Sequence, residues 1–466
     1  MAVPSPLILA VDCGSTNLKG ALFDAALNRL AEAAVPVRYS RDQGPEVELP
    51  AEDLWHGFRQ VAREACQTAG VAPGDITDVA LDSQAQTFAL VDAAGQPLTP
   101  FYSWLDRRAD DATAALTARL GDAFHTHCSF APPIPQLQLC KMRWLADHDP
   151  ARVRQAAAMA MLPGFIAMRL GVPNTTDLNL AAMGGACSLA RGTWWLEAIA
   201  AAGFALEQMP RLVDVGTAVH ATAAPADAAF RTRLRVTFAG NDQTAGAFGN
   251  ACERGGMVVT LGTALVVYRH TGRTPGPYHA GACWGPYPGG SFYELSTIDE
   301  GCQALDWARQ QILPGEPPEA FDRAAQGVID AARQDAAPLF WPQRLRGPAA
   351  WSGESTEAAL RAYAVLEGIG FALRRLIEVT LQAGGQADEI AALGGGSRSA
   401  VWLGILADVL GTPLTQGRGD ALLGAAAMAT GARLGPPATA RRTAFPPDPR
   451  RQATLDRRYR RWLEQA

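Results

Sequence analysis

Lysine is almost absent from this chain: of 41 Lys and Arg residues only Lys19 and Lys141 are lysine. A compact ammonium kept where arginine serves everywhere else suits a phosphate site, although chance could place two lysines in motifs. Clustered metal ligands are lacking too. The eight cysteines (Cys13, Cys66, Cys128, Cys140, Cys187, Cys252, Cys283, Cys302) contain no C-x-x-C pair, and the seven histidines form no H-x-x-x-H. Neither a zinc site nor a disulfide framework is indicated, and the thiols are expected to be reduced and mostly buried. Neither G-x-x-x-x-G-K-[ST] nor G-x-G-x-x-G occurs, which excludes a standard P-loop and a dinucleotide fingerprint. With a formal charge of -5 and 19% charged residues, the chain has no bias toward nucleic acid or anionic membrane. Its longest apolar stretch, Ala156 to Met168, is too short to span a bilayer and contains Pro163. No basic region precedes Asp12 as in a targeting segment, so the cytoplasm is the expected location.

What is present describes a protein of two or more domains, given 466 residues of which 48% are hydrophobic. Strand-like runs at 7–11, 20–23, 79–82 and 87–91 alternate with helical patterns at 52–69, 108–120, 139–147 and 151–170, which predicts an α/β domain. A second unit is expected to open with the strand Arg235-Val236-Thr237-Phe238, with the boundary near residue 235. An amphipathic helix over 356–384, a strand over 390–393 and a helix over 400–410 follow.

Four constellations carry chemistry. The run Leu7 to Val11 enters Asp12-Cys13-Gly14-Ser15-Thr16-Asn17-Leu18-Lys19, and Ala21 to Phe23 reads as a hairpin partner that fixes the turn at a sheet edge. Gly14 permits close backbone approach, Ser15 and Thr16 add hydroxyls, Lys19 adds charge, and Asp12 can organise Mg²⁺; an ordinary polar hairpin turn is the alternative. Val258 to Tyr268 repeats the plan around Gly262-Thr263. Gly394-Gly395-Gly396-Ser397-Arg398-Ser399 joins a strand to a helix, so its backbone can approach a flat ligand, or it is simply a tight turn. Asp242 follows a strand at a helix start, where it is either a plain cap or the base that accepts an alcohol proton in phosphoryl transfer. Asp82 to Thr87 and Ser103 to Arg108 add amides and an aromatic face suited to a polyol, or merely core and surface pairs.

In this order the motifs resemble the FGGY family of carbohydrate kinases over essentially the whole chain. The first phosphate motif is D-C-G-S-T-N-L-K, the Trp-x-Asp-x-Arg segment S-W-L-D-R-R, and the base segment G-N-D-Q; L-G-T and G-G-G-S-R-S-A-V-W complete the set. The resemblance implies α/β architecture with two actin-like, ribonuclease-H-like ATPase domains flanking a central cleft. Residues 1–235 would bind sugar and phosphate, and 236–466 the nucleotide. It implies Asp242 as the base, Asp12 and Asp242 at Mg²⁺, and Ser15, Thr16, Asn17, Lys19, Gly262 and Thr263 on the phosphates. Gly395 and Ser399 would border the adenosine of ATP, with Gly301 or Cys302 nearby, and Ala85, Gln86, Trp104, Asp242 and Gln243 would face the sugar. The implied partner is a small-molecule sugar, with neither nucleic acid nor membrane, and a homodimer is one assembly to expect. Two segments depart from the family pattern: Gln138 stands where a small residue or Pro is usual, and the stretch before Ala364-Val365-Leu366-Glu367-Gly368 is short. Ala85-Gln86 matches neither glycerol kinases nor xylulokinases closely, which leaves the sugar open; a ketopentose such as xylulose leads, with a deoxyketose (fuculose type) or a polyol (glycerol type) behind it. An actin-like nucleotide switch would share the phosphate turns but has no need of Asp242.

Overall fold

The computed structural model describes residues 6–42, 44–130, 132–273, 275–276, 281–344, 350–353, 355–382, 387, 390–417, 419–432, 434 and 443–465. They form two compact α/β units. The first comprises Met1–Ala251, Arg273–Phe292 and Gly419–Pro436, the second Cys252–Gly272, Tyr293–Arg418 and Pro437–Ala466.

The first unit opens with strands β1 (Ile8–Cys13), β2 (Asn17–Phe23) and β3 (Arg29–Pro36), helix α1 (Ala51–Ala69) and strand β4 (Asp78–Ser83). Strands β5 (Phe88–Val91), β6 (Phe101–Tyr102) and β7 (Ala158–Met161) build a smaller antiparallel sheet with Glu48–Leu49. Strands β8 (Ala218–His220) and β9 (Arg235–Asn241) complete a main sheet of order β3-β2-β1-β4-β9-β8. β1 runs antiparallel to β2 and parallel to β4, so the hairpin lies inside the sheet and not at its edge. β4 is buried along its whole length and pairs with β1 on one side and β9 on the other, which places β1 within the sheet.

The two faces of β1 differ as a period of two requires. Leu9, Val11 and Cys13 pack with Trp55, Phe58 and Val61 of α1, whose apolar residues recur every three or four positions. Ile8 and Ala10 pack with Leu422, Ala425 and Ala426 of the helix Ala421–Thr430. Asp12 continues that second face at the end of the strand.

Two expectations fail here for one reason, that long-range pairing overrides local pattern. Residues 151–170 are not one helix: Pro150–Gln155 and Leu162–Arg169 are helical, but Ala158–Met161 is strand β7, because it pairs with β5 in register Phe88↔Met161 to Val91↔Ala158. Arg235–Asn241 does not open the second unit either. It pairs parallel with β4, so the chain leaves the first unit only after Ala251 and returns to it at Arg273 and again at Gly419.

The second unit contains β10 (Met257–Leu261), β11 (Leu265–Gly272), β12 (Ser291–Ile298), helix α4 (Ala358–Gln382), β13 (Ile390–Leu393), helix α5 (Ala400–Leu410), β14 (Leu414–Gln416), β15 (Ala444–Phe445) and helix α6 (Pro449–Glu464). Its strands are ordered β12-β11-β10-β13-β14-β15. Again the first strand pairs antiparallel with its hairpin partner and parallel with the next strand, so the repeated Gly turn reflects one topology used twice. No disulfide joins the eight cysteines, and six of them are buried. Among the described residues no helix is long and apolar enough to cross a membrane.

Candidate active site

Register brings charge together at the end of β1. Asp12 lies opposite Lys19 on β2 and opposite Asp82 on β4, and residues directly opposite share a face. Asp82 is wholly buried, and its carboxyl meets that of Asp12; no N–H or hydroxyl donor reaches either Asp82 oxygen or Oδ1 of Asp12. Burial first, and then Asp242, raises the Asp12 carboxyl above the ordinary range, with Lys19 opposing. Asp82 is pushed up more strongly, by burial, then Asp12 and Asp242. Sequence reading missed Asp82 as a site residue. It also missed Asp420, which caps the helix Ala421–Thr430 through Leu423 N at 2.9 Å, pairs with Arg29 at 2.6 Å, and adds negative field at Asp12 and Asp82.

Asp242 is aimed by a bulge. Between Phe238 and Asn241 the pairing of β9 with β4 slips, and Gly240 takes φ 80°, a left-handed conformation that favours glycine. The helix α3 (Asp242–Gly249) is capped not by Asp242 but by Asn241, whose Oδ1 accepts Thr244 N–H at 2.8 Å. The buried Asn179 clamps this start: its Oδ1 accepts Asn241 N–H at 2.9 Å and its Nδ2 donates to Thr244 Oγ1 at 2.8 Å. Asp242 is left half-buried at a helix N-terminus, with Oδ2 accepting Gln243 Nε2 at 3.1 Å. Burial raises its pKa, while Gln243 and Lys19 lower it.

The Ser15–Asn17 turn closes over Asp12. A Cβ at Gly14 would lie 2.8 Å from Asn17 O and 3.7 and 3.8 Å from the Asp12 carboxylate oxygens, so glycine keeps this space open. Thr16 and Lys19 are exposed, Ser15 and Asn17 half-buried, and Tyr39 Oη braces Ser15 O at 2.8 Å. No group of three or more His, Cys, Asp or Glu among the described residues is placed to hold a metal ion by itself.

The amide and aromatic residues form a separate part of the same unit. Gln86 is buried and takes φ 62° although it is not glycine, Ala85 is half-buried beside it, and Trp104 is 39% exposed. Trp104 N–H donates to Thr87 Oγ1 at 3.0 Å, which joins the two loops. The rest of the Trp-x-Asp-x-Arg segment is structural. Asp106 is fully buried and accepts Val47 N–H at 2.7 Å and Arg108 Nη2 at 2.7 Å, while Arg108 stacks over Tyr102 and Trp144 at 4.9 and 5.0 Å.

In the second unit the Gly262-Thr263 turn and the three-glycine turn follow adjacent parallel strands. Gly301 packs on the first, where a Cβ would come within 2.6 Å of Ala264 C, and its N–H donates to Thr263 O at 3.1 Å. Gly396 rests on the Trp402 ring. Gly395 faces open space, whereas the Ser399 hydroxyl is used as the cap of α5, accepting Trp402 N–H at 3.0 Å.

Residues 7–249 match the family model of the N-terminal domain of the FGGY family of carbohydrate kinases, and residues 257–432 that of its C-terminal domain. A glycerol kinase of Cereibacter sphaeroides (strain ATCC 17025) is 26% identical over 492 residues, covering 98% of this chain and 97% of that relative. The xylulose kinase of Rhodospirillum rubrum superposes with a TM-score of 0.85 at 25% identity, covering 98% of each chain. The gluconate kinase of Lactobacillus acidophilus, at 18% identity, has the same fold, with a TM-score of 0.85 over 98% of this chain and 97% of that one.

Proposed function

The chain belongs to the FGGY family of carbohydrate kinases, and from that premise we propose that it moves the γ-phosphoryl group of ATP to a hydroxyl of a ketopentose such as xylulose, with Asp242 as general base. The observation that supports this most is the placement of Asp242: a half-buried carboxylate that its helix does not need as a cap, held beside Lys19 and Asp12 by the Asn179–Asn241 clamp. Phosphoryl transfer asks for a group that takes the alcohol proton and for donors that absorb charge on the phosphates. In this reading Ser15, Thr16, Asn17, Lys19, Gly262 and Thr263 contact the phosphates, and Gly395 and Ser399 border the adenosine. Amides at Gln86 and Gln243, and the Trp104 ring, suit an uncharged polyhydroxy substrate.

A polyol is the second reading, favoured by the 26% identity to glycerol kinases; a deoxyketose is the third. ADP release is expected to depend strictly on one of D-xylulose, L-fuculose or glycerol. Release at the same rate without any of them would overturn the kinase reading in favour of a nucleotide switch.

Mg²⁺ fits the residues present, because the Asp12 and Asp82 carboxyls meet each other near Asp242 with no N–H or hydroxyl donor on Asp82 or on Oδ1 of Asp12, and a cation would relieve the repulsion between them. Asp12 and Asp82, with Asp242, would hold it largely through water, and when bound it would neutralise charge on the phosphates. Asp82→Asn is expected to weaken nucleotide-free Mn²⁺ binding, read by electron paramagnetic resonance, by about tenfold or more. Unchanged binding would remove Asp82 from the cation site.

A further inference from the structure

Lys141 is the other of the two lysines, and its surroundings are unlike those of Lys19. It sits in helix α2 (Gln138–His148) with no exposed surface. All three of its donors go to backbone carbonyls: Gln86 O at 3.0 Å, Ser103 O at 2.6 Å and Tyr102 O at 3.4 Å. Among the described residues no carboxylate lies within ion-pair distance of it. Asp106, the acid that favours its charge, is already bound to Arg108 and Val47 N–H. Burial pulls the ammonium down to about 7. A position serving only to fill the core would hold an apolar side chain at no such cost.

The carbonyls it grips belong to two loops, and those loops carry Gln86 and Trp104. Gln86 holds a left-handed φ of 62°, a conformation that costs a non-glycine residue about 1–3 kcal/mol and persists only where surroundings enforce it. Lys141 bonds the carbonyl of that same residue. The peptide between Ser103 and Trp104 is held at both ends, its oxygen by Lys141 and its N–H by Thr87 Oγ1. A tetrahedral ammonium can reach three carbonyls converging from two loops, whereas a planar guanidinium cannot replace it in a closed space.

We propose that Lys141 is a positioning residue for the sugar, holding the Gln86 turn and the Trp104 loop in the one arrangement that presents both side chains to the substrate. This rests on the reading that the sugar binds at Gln86 and Trp104, and the two can fail separately. Kinetics would be measured on the full chain, with whichever of D-xylulose, L-fuculose and glycerol supports turnover. Gln86→Ala and Trp104→Ala test the pocket: each should raise KM for the sugar and leave KM for ATP unchanged. Lys141→Met should raise the sugar KM by about ten- to a hundredfold with the ATP KM unchanged, as a shift of binding groups by about an ångström does. Lys141→Arg should fail to rescue it. Where Lys141→Met does not fold, Lys141→Gln, which keeps two donors and loses the charge, takes its place.

The decisive comparison is Lys141→Met in the Gln86→Ala/Trp104→Ala background. There its penalty on the sugar KM should largely vanish, since residues acting through one another are not additive. A penalty that adds in full, that falls equally on ATP, or that is absent would overturn the positioning role. If Gln86→Ala and Trp104→Ala have no effect, the pocket itself is misplaced, and an effect of Lys141→Met would then act by another route and likewise overturn the inference.

Discussion

Asp242→Ala is expected to lower kcat by about 10²–10⁴, the usual worth of a positioned general base, while sugar and ATP still bind. At the middle of that range the loss is about 4 kcal/mol of transition-state stabilisation. The fold gives a reason to expect an intact protein. Asn241 supplies the cap of α3 and Asn179 clamps Asn241, so the Asp242 carboxylate can be removed without exposing a helix end. Its removal also takes a negative charge away from Asp12 and Asp82, whose carboxyls Asp242 pushes upward. The variant should therefore melt at a higher temperature than the native protein even as it loses turnover, the trade-off expected where like charges are gathered for function. Sugar-phosphate formation in a single turnover, calorimetric binding of sugar and of ADP, and a thermal melt together check this. Retained turnover would remove Asp242 from its role. Lost binding with a lowered melting temperature would mean that the carboxylate is structural after all.

How much of this could be read beforehand depends on the distance over which each feature is decided. The Asp12 turn and its echo at Thr263 are legible because each lies within one hairpin, where Gly and hydroxyl residues stand between two apolar runs. The placement of Asp242 is legible for the same reason, as the residue that follows a strand and begins a helix. Asp82 is not, because its meaning comes from the parallel register Asp12↔Asp82, set by pairing across some 70 residues. Asp420 is hidden by the return of the chain to the first unit at Gly419. Strand β7 is hidden because alanine and methionine favour helix until β5 pairs with them. In Ser103 to Arg108 the residues that resemble a substrate motif divide between Trp104, which is exposed, and Asp106 and Arg108, which are spent on each other and on the backbone.

The same division governs Glu367, in the segment Ala364 to Gly368, and here the largest effect on stability is expected. Glu367 is wholly buried in α4 and meets Arg458 of α6 in a two-point pair, Nε to Oε1 at 2.8 Å and Nη2 to Oε2 at 2.6 Å. The remaining Arg458 donors reach Ala337 O at 2.9 Å and Pro338 O at 3.1 Å. Burial raises the Glu367 pKa and Arg458 opposes it. Glu367→Ala should cost about 3–5 kcal/mol, because the guanidinium stays buried without its counter-charge, whereas Glu367→Met/Arg458→Met should cost much less. Arg458→Met should behave differently with pH. Its unpaired Glu367 has a folded pKa above the unfolded value, so the folded state binds more protons, and stability should fall as pH rises from below the unfolded value through the folded one. Denaturant melts at several pH values separate these cases, and equal losses in single and double variants would show that the pair is not what holds α4 to α6. A functional trace is expected too. The carbonyl of Leu366, next to Glu367, accepts Trp402 Nε1 at 3.2 Å, and Trp402 is the ring on which Gly396 rests. Loosening Glu367 should thus raise KM for ATP and spare the sugar, the opposite pattern to Lys141→Met, so that the two buried charges report on two different substrates.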